Sequence, residues 1–120
     1  MINIRQIAIL LLINIFISSS YNKITNFNST VLSINNKGLP FPYLALLGAI
    51  SFQLIGIIGI LSKEFKLLDS KYDKYLEYSK YFLIIFTLLA TYYYHNIFTM
   101  ENQNINFGKN MSIIGGLLLL

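Results

Sequence analysis

Long apolar runs alternate with short polar connections along this chain, and the runs are too long for strands. The first extends from about Ile4 to Tyr21 around an unbroken Ile7–Ile13, with Asn14 as its strongly polar interior residue. The second, Pro40 to Leu61, has 22 residues and no charge. At helical rise that is about 33 Å, enough for a hydrocarbon core of about 30 Å. The third runs from Tyr81 to Phe98 and includes His95. The fourth, Met111 to Leu120, spans a membrane only if its helix begins near Ile105.

The connections carry their own pattern. Between Thr25 and Lys37, Phe27, Val31 and Ile34 fall at i, i+4, i+7, the spacing of a short helix lying at the membrane interface with its apolar face down. Gly38 offers a stop and Pro40 a start for the next helix. Ser70-Lys71-Tyr72-Asp73 reads as a capping box that starts the third helix ahead of the membrane. Tyr72, Tyr75, Tyr78 and Tyr81 then form an aromatic belt at the boundary. The predicted fold class is therefore all-α, an integral membrane four-helix bundle with a short interfacial helix after the first span. It forms one domain over residues 1–120, with spans at about 4–24, 40–62, 78–98 and 105–120.

Composition sharpens this picture. Charged residues are 12 % of the chain, about half the usual ~25 % of soluble domains. The net charge is +4, and the charged residues concentrate in Lys63–Lys80, where five lysines face four carboxylates. Arg5 and those five lysines fall on one side of the predicted bundle, and Lys23, Lys37 and Lys109 on the other. Six against three places both termini in the cytoplasm by the positive-inside rule. No basic run interleaves with aromatics as nucleic-acid binding would need, so no nucleic-acid partner is expected. Met1–Ser20 also has the layout of a signal peptide, with Arg5 ahead of Ile7–Ile17 and then three serines. The expectation is that this segment is retained as the first helix.

Several chemistries are excluded. The chain has no cysteine, which removes disulfides, thiol redox chemistry and thiolate metal sites. One histidine, with carboxylates confined to the connections, argues against zinc and against haem held from both sides. There is no GxSxG, P-loop or GxGxxG pattern. No catalytic residue and no metal site are expected.

The motifs, in order, resemble the DoxX family. Ser20-Tyr21-Asn22-Lys23-Ile24 closes the first helix with a small residue and a lysine, and Gly38-Leu39-Pro40 follows. Gln53-Leu54-Ile55-Gly56 is similar to the family's Glu-Leu-x-Gly, with Gln in place of Glu. His95-Asn96-Ile97-Phe98 and Lys109-Asn110 leading to Gly115-Gly116 complete the set. The resemblance implies a DoxX-like accessory or non-catalytic membrane subunit. It also admits a membrane subunit of a quinone-linked (thiosulfate:quinone type) oxidoreductase, with quinone as the conceivable cofactor, or a scaffold, chaperone or cargo-binding protein acting through residues 63–80.

Lys23, Gln53, His95 and Asn110 are the candidate polar pocket, near the non-cytoplasmic face. Polar groups in a bilayer are costly unless paired, about 2.5–3.5 kcal/mol for a central lysine. The plainer reading gives Lys23 to snorkelling, Gln53 to bridging helices and His95 to a carbonyl contact. Gly48, Gly56, Gly115 and Gly116 are expected to allow close helix packing, as is Gly59. The expected partners are the lipid bilayer and a second membrane protein or another copy of the chain, because the short fourth helix leaves an end to be covered.

Overall fold

The computed structural model describes residues 2–94 and 101–120. The described residues form helices and turns, with no strand among them. Helix α1 is Ile4–Thr25, α2 is Phe27–Asn36 and α3 is Pro42–Glu64. A 3-10 turn at Ser70–Tyr72 leads into the one-turn helix α4, Asp73–Leu76. Helix α5 is Ser79–Tyr94 and α6 is Asn104–Leu118. Two of these, α1 and α3, are long and apolar enough to cross a membrane.

Local chemistry sets the boundaries. At the start of α1 the Asn3 side chain accepts from the Gln6 amide at 2.8 Å, and the Gln6 side chain accepts from the Asn3 amide at 3.1 Å. This reciprocal box satisfies two helix-end donors. The box expected at Ser70–Asp73 does not form. Asp69 precedes the turn without a side-chain cap, and the chain breaks again before α5. Ahead of α3, Gly38 adopts φ 84° and Phe41 φ 50°, both left-handed, and Pro42 opens the helix. A left-handed Phe is unfavourable by sterics, so it marks a turn that the surrounding prolines enforce.

The apolar face of α2 is turned onto protein. Val31 and Ile34 are buried against Leu46 of α3, with Phe27 beside them. The interfacial helix expected from the spacing is present as a helix, but its apolar stripe covers the first half of α3.

Helices α1, α3, α5 and α6 run alternately up and down. Ile9 near the start of α1 shares a core with Ile60 near the end of α3. Gly56 and Gly59 of α3 meet Leu83 and Ser79 near the start of α5. Asn110, early in α6, bonds Thr91, late in α5, at 2.9 Å. Gly116, late in α6, approaches Leu12 of α1. Helix α3 touches α1, α2, α4 and α5 and so organises the whole.

Glycine permits the closest approach. A Cβ on Gly59 would lie 1.7 Å from Ser79 Oγ, and one on Gly56 2.5 Å from Leu83 Cγ. Small residues at such crossings let backbones come together. Gly116 would place a Cβ 3.2 Å from Leu12, a tight contact, whereas Gly48 and Gly115 have nothing within 4 Å among the described residues. Close packing thus rests on Gly56 and Gly59, with Gly116 next, and among the described residues nothing crosses at Gly48 or Gly115.

Polar side chains share the interior with the apolar core, while many large apolar ones stand outside. Gln53 is fully buried, and Ser20, Ser62, Ser79, Thr87 and Thr91 are buried with it. Meanwhile Leu11, Leu47, Ile58, Ile85 and Leu88 stand on the outer surface, at least 45 % exposed.

A polar cavity at one end of the helices

A cavity of ≈ 920 Å³ opens between the second halves of α1 and α5 and the first halves of α3 and α6, with α2 along its side. That volume lies in the ~300–1,000 Å³ range of small-molecule sites. Lys23, Gln53 and Asn110 all border it. The alternating helix directions bring these three together, although 87 residues separate the first from the last in sequence. His95, the fourth candidate, lies outside the described residues.

Each side chain is positioned by identifiable neighbours. Lys23 sits in the last turn of α1, where a cation also complements the helix dipole. Its Nζ donates to Ser19 Oγ, one turn back, and lies 4.9 Å from the centre of the Phe86 ring. An ammonium over an aromatic face gains about 0.5–2 kcal/mol, the larger figure applying when water is excluded. Phe86 is itself held edge-on by Phe16, with centroids 6.4 Å apart.

Gln53 is fixed from α1. Its Oε1 accepts from Ser20 Oγ at 3.2 Å within the core, while its Nε2 has no partner among the described residues. A buried donor left unpaired costs about 1–3 kcal/mol, so this amide is poised for an acceptor. Asn110 Nδ2 donates to Thr91 Oγ1, and Thr91 in turn donates to the Thr87 carbonyl at 2.7 Å. Thr87 donates likewise to the Leu83 carbonyl. This back-bonding spends both threonine protons on their own helix and leaves Thr91 Oγ1 as the acceptor that orients Asn110.

The remaining wall divides by polarity. Ser29, Thr30 and Ser33 come from α2, and Ser33 Oγ lies 3.3 Å from the Tyr94 hydroxyl. Ile15, Phe52, Leu89 and Ile113 supply apolar wall. Lys109 is the second cation on the cavity, and no carboxylate lines it. At the same end Lys37 lies 5.2 Å from the centre of the Tyr94 ring.

Among the described residues no catalytic set gathers at the cavity. The Ser19–Lys23 pair brings a hydroxyl and an amine together within one helix. The backbone N–H groups around it belong to helical hydrogen bonds, so none is offered to a developing oxyanion. Among the described residues no three His, Cys, Asp or Glu side chains gather as a metal site.

Sequence reasoning missed Ser19, Ser20, Phe86, Thr91 and Lys109. The Ser19/Lys23 and Thr87/Thr91 pairs carry an i, i+4 spacing that marks a shared helix face. Ser20 and Phe86 carry no such signal, because their roles arise only when α1 meets α3 and α5.

Comparisons of the chain with protein-family models, with curated proteins and with solved structures find no match.

Proposed function

We propose that this chain is an integral membrane four-helix bundle of DoxX-like type, acting as a non-catalytic subunit that binds a ligand within the membrane. The observation that carries this reading is the polar cavity enclosed by helices whose outer faces are apolar. Exposed Leu and Ile surround a buried Gln53 and a pocket bordered by Lys23 and Asn110. In lipid, apolar side chains face outward at no cost, and polar ones serve between helices or at functional sites. Helices α1, α3, α5 and α6 are the four spans of this reading, with both termini and residues 63–80 in the cytoplasm.

Two experiments test it. The chain has no native cysteine, so single-cysteine variants report topology directly. Lys71→Cys reacts with a membrane-impermeant maleimide only from the cytoplasmic face, and Lys37→Cys only from the opposite face. Labelling of both from one face overturns the topology. Native mass spectrometry of mildly extracted protein then shows a bound small molecule. An empty chain with a stoichiometric protein partner favours instead a scaffold working through residues 63–80, whose exposed Tyr72, Tyr75 and Tyr78 suit a contact surface.

A further inference from the structure

We infer that the cavity is built for an amphiphile with an anionic head group, which sits among Lys23, Lys109 and Gln53 while its hydrocarbon tail lies along the apolar wall. This deepens the ligand-binding reading above and rests on it.

The first argument is charge. Lys23 and Lys109 both border the cavity, and no Asp or Glu does. Neither lysine forms an ion pair among the described residues, where all ion pairs involve Glu64 or Glu77 at the far end. At the cavity end the described carboxylate is Glu101, which is exposed and does not line the wall. A half-buried ammonium against Phe86 and Ser19 has a ring and one hydroxyl for company but no counter-charge. That imbalance draws an anion, most strongly toward half-buried Lys23, because charge–charge attraction strengthens as the dielectric falls.

The second argument is hydrogen-bonding sense. Gln53 is among the lining residues, and its buried Nε2, which has no acceptor among the described residues, meets a head group once the amide turns toward the cavity. Lys23 keeps donors beyond the one directed at Ser19. A donor surplus is matched by oxygens that only accept, as in a carboxylate or phosphate. Quinone carbonyls are neutral acceptors and leave both lysine charges uncompensated.

The third argument is shape. Ile15 and Leu89 border the cavity and are 51 % and 53 % exposed, as is Leu44 at 67 %. The apolar wall therefore reaches the outer, lipid-facing surface of the helices. A tail can lie there while its head is held inside.

The test uses the full chain in detergent micelles and measures binding of radiolabelled palmitate, lysophosphatidate and hexadecanol, with decylubiquinone as competitor. Palmitate or lysophosphatidate binds at least tenfold more tightly than hexadecanol, and whichever of the two is tighter tells a fatty acid from a phospholipid head group. Lys23→Gln removes that tenfold preference and leaves hexadecanol binding unchanged. If Lys23→Gln lowers the melting temperature, the exposed Lys109→Gln gives the same reading, with a loss of several-fold. Equal binding of hexadecanol and palmitate, or indifference of palmitate binding to both substitutions, overturns the inference. Tight binding of decylubiquinone with palmitate silent overturns the anionic ligand but keeps the ligand-binding subunit. Binding of no probe overturns both.

Discussion

The two ends of this helix assembly are built on opposite principles. At the end holding residue 5, α3 and α5 meet through Gly56 and Gly59, and Ile9, Ile13, Ile57, Ile60, Leu83 and Leu117 fill the space between helices. Ion pairs form there, with Arg5 on Glu64 at 3.1 Å and both Lys63 and Lys80 on Glu77. At the other end the same helices diverge around a ≈ 920 Å³ cavity, bordered by two lysines and no carboxylate. One end is closely packed and pairs three of its cations with carboxylates. The other surrounds a large cavity on which two lysines have no ion pair among the described residues. The close packing and the cavity lining thus fall on largely different residues, so changes at one end are expected to leave the other intact.

The largest separation between the ends comes from truncating the closed core. Leu83 is fully buried and touches the Gly56 crossing. Leu83→Ala is expected to cost about 2–5 kcal/mol, the usual range for a large-to-small core change. Thermal unfolding in micelles registers it as a large drop in melting temperature. A smaller loss than that of Ser29→Ala, on the cavity wall, breaks the proposed division.

Next comes overpacking. Gly59→Ala forces a methyl into Ser79 and is expected to cost about 1–3 kcal/mol, since neither helix can yield without moving its neighbours. Gly48→Ala, facing open space beside the cavity, changes stability by no more than about 0.5 kcal/mol. The paired comparison controls for the general effect of adding a methyl to α3.

The contrast also explains what was legible in the sequence. The all-α fold followed from apolar runs whose length exceeds any strand, and α1 and α3 carry the length and hydropathy of spans. Lys23, Gln53 and Asn110 stood out because polar groups are conspicuous in apolar runs, and all three border one cavity. The helix start at residue 70 was misjudged, because a capping box needs helical residues behind it, and Glu77–Tyr78 interrupts them. The Asn3–Gln6 box went unread because its acceptor is Asn, outside the Ser/Thr pattern. Gly48 and Gly115 were grouped with the packing glycines because spacing shows which face a residue shares, not whether a neighbour arrives there. Ser20 and Lys109 were named as motif residues and left out of the pocket for the same reason.

The third prediction separates binding from stability. Replacing both members of the Ser20–Gln53 pair with apolar residues, as Ser20→Ala with Gln53→Leu, removes a bridge and an unpaired donor together. Such a swap is close to neutral, within about 1 kcal/mol, because no buried polar atom is left alone. Palmitate binding nevertheless falls. A double variant that binds normally would make Gln53 a purely structural bridge.

The smallest effect is expected at the rim of the closed end. Arg5 is 54 % exposed where it pairs with Glu64, so Arg5→Gln costs about 0.2–1 kcal/mol, typical of an exposed ion pair. Glu77→Gln is more severe, because Lys80 is only 9 % exposed and loses its carboxylate. Arg5→Gln also probes orientation. It leaves five lysines on that side against three on the other, so maleimide labelling of Lys71→Cys keeps its side. An inversion of labelling would show that Arg5, and not the connection at 63–80, sets the topology.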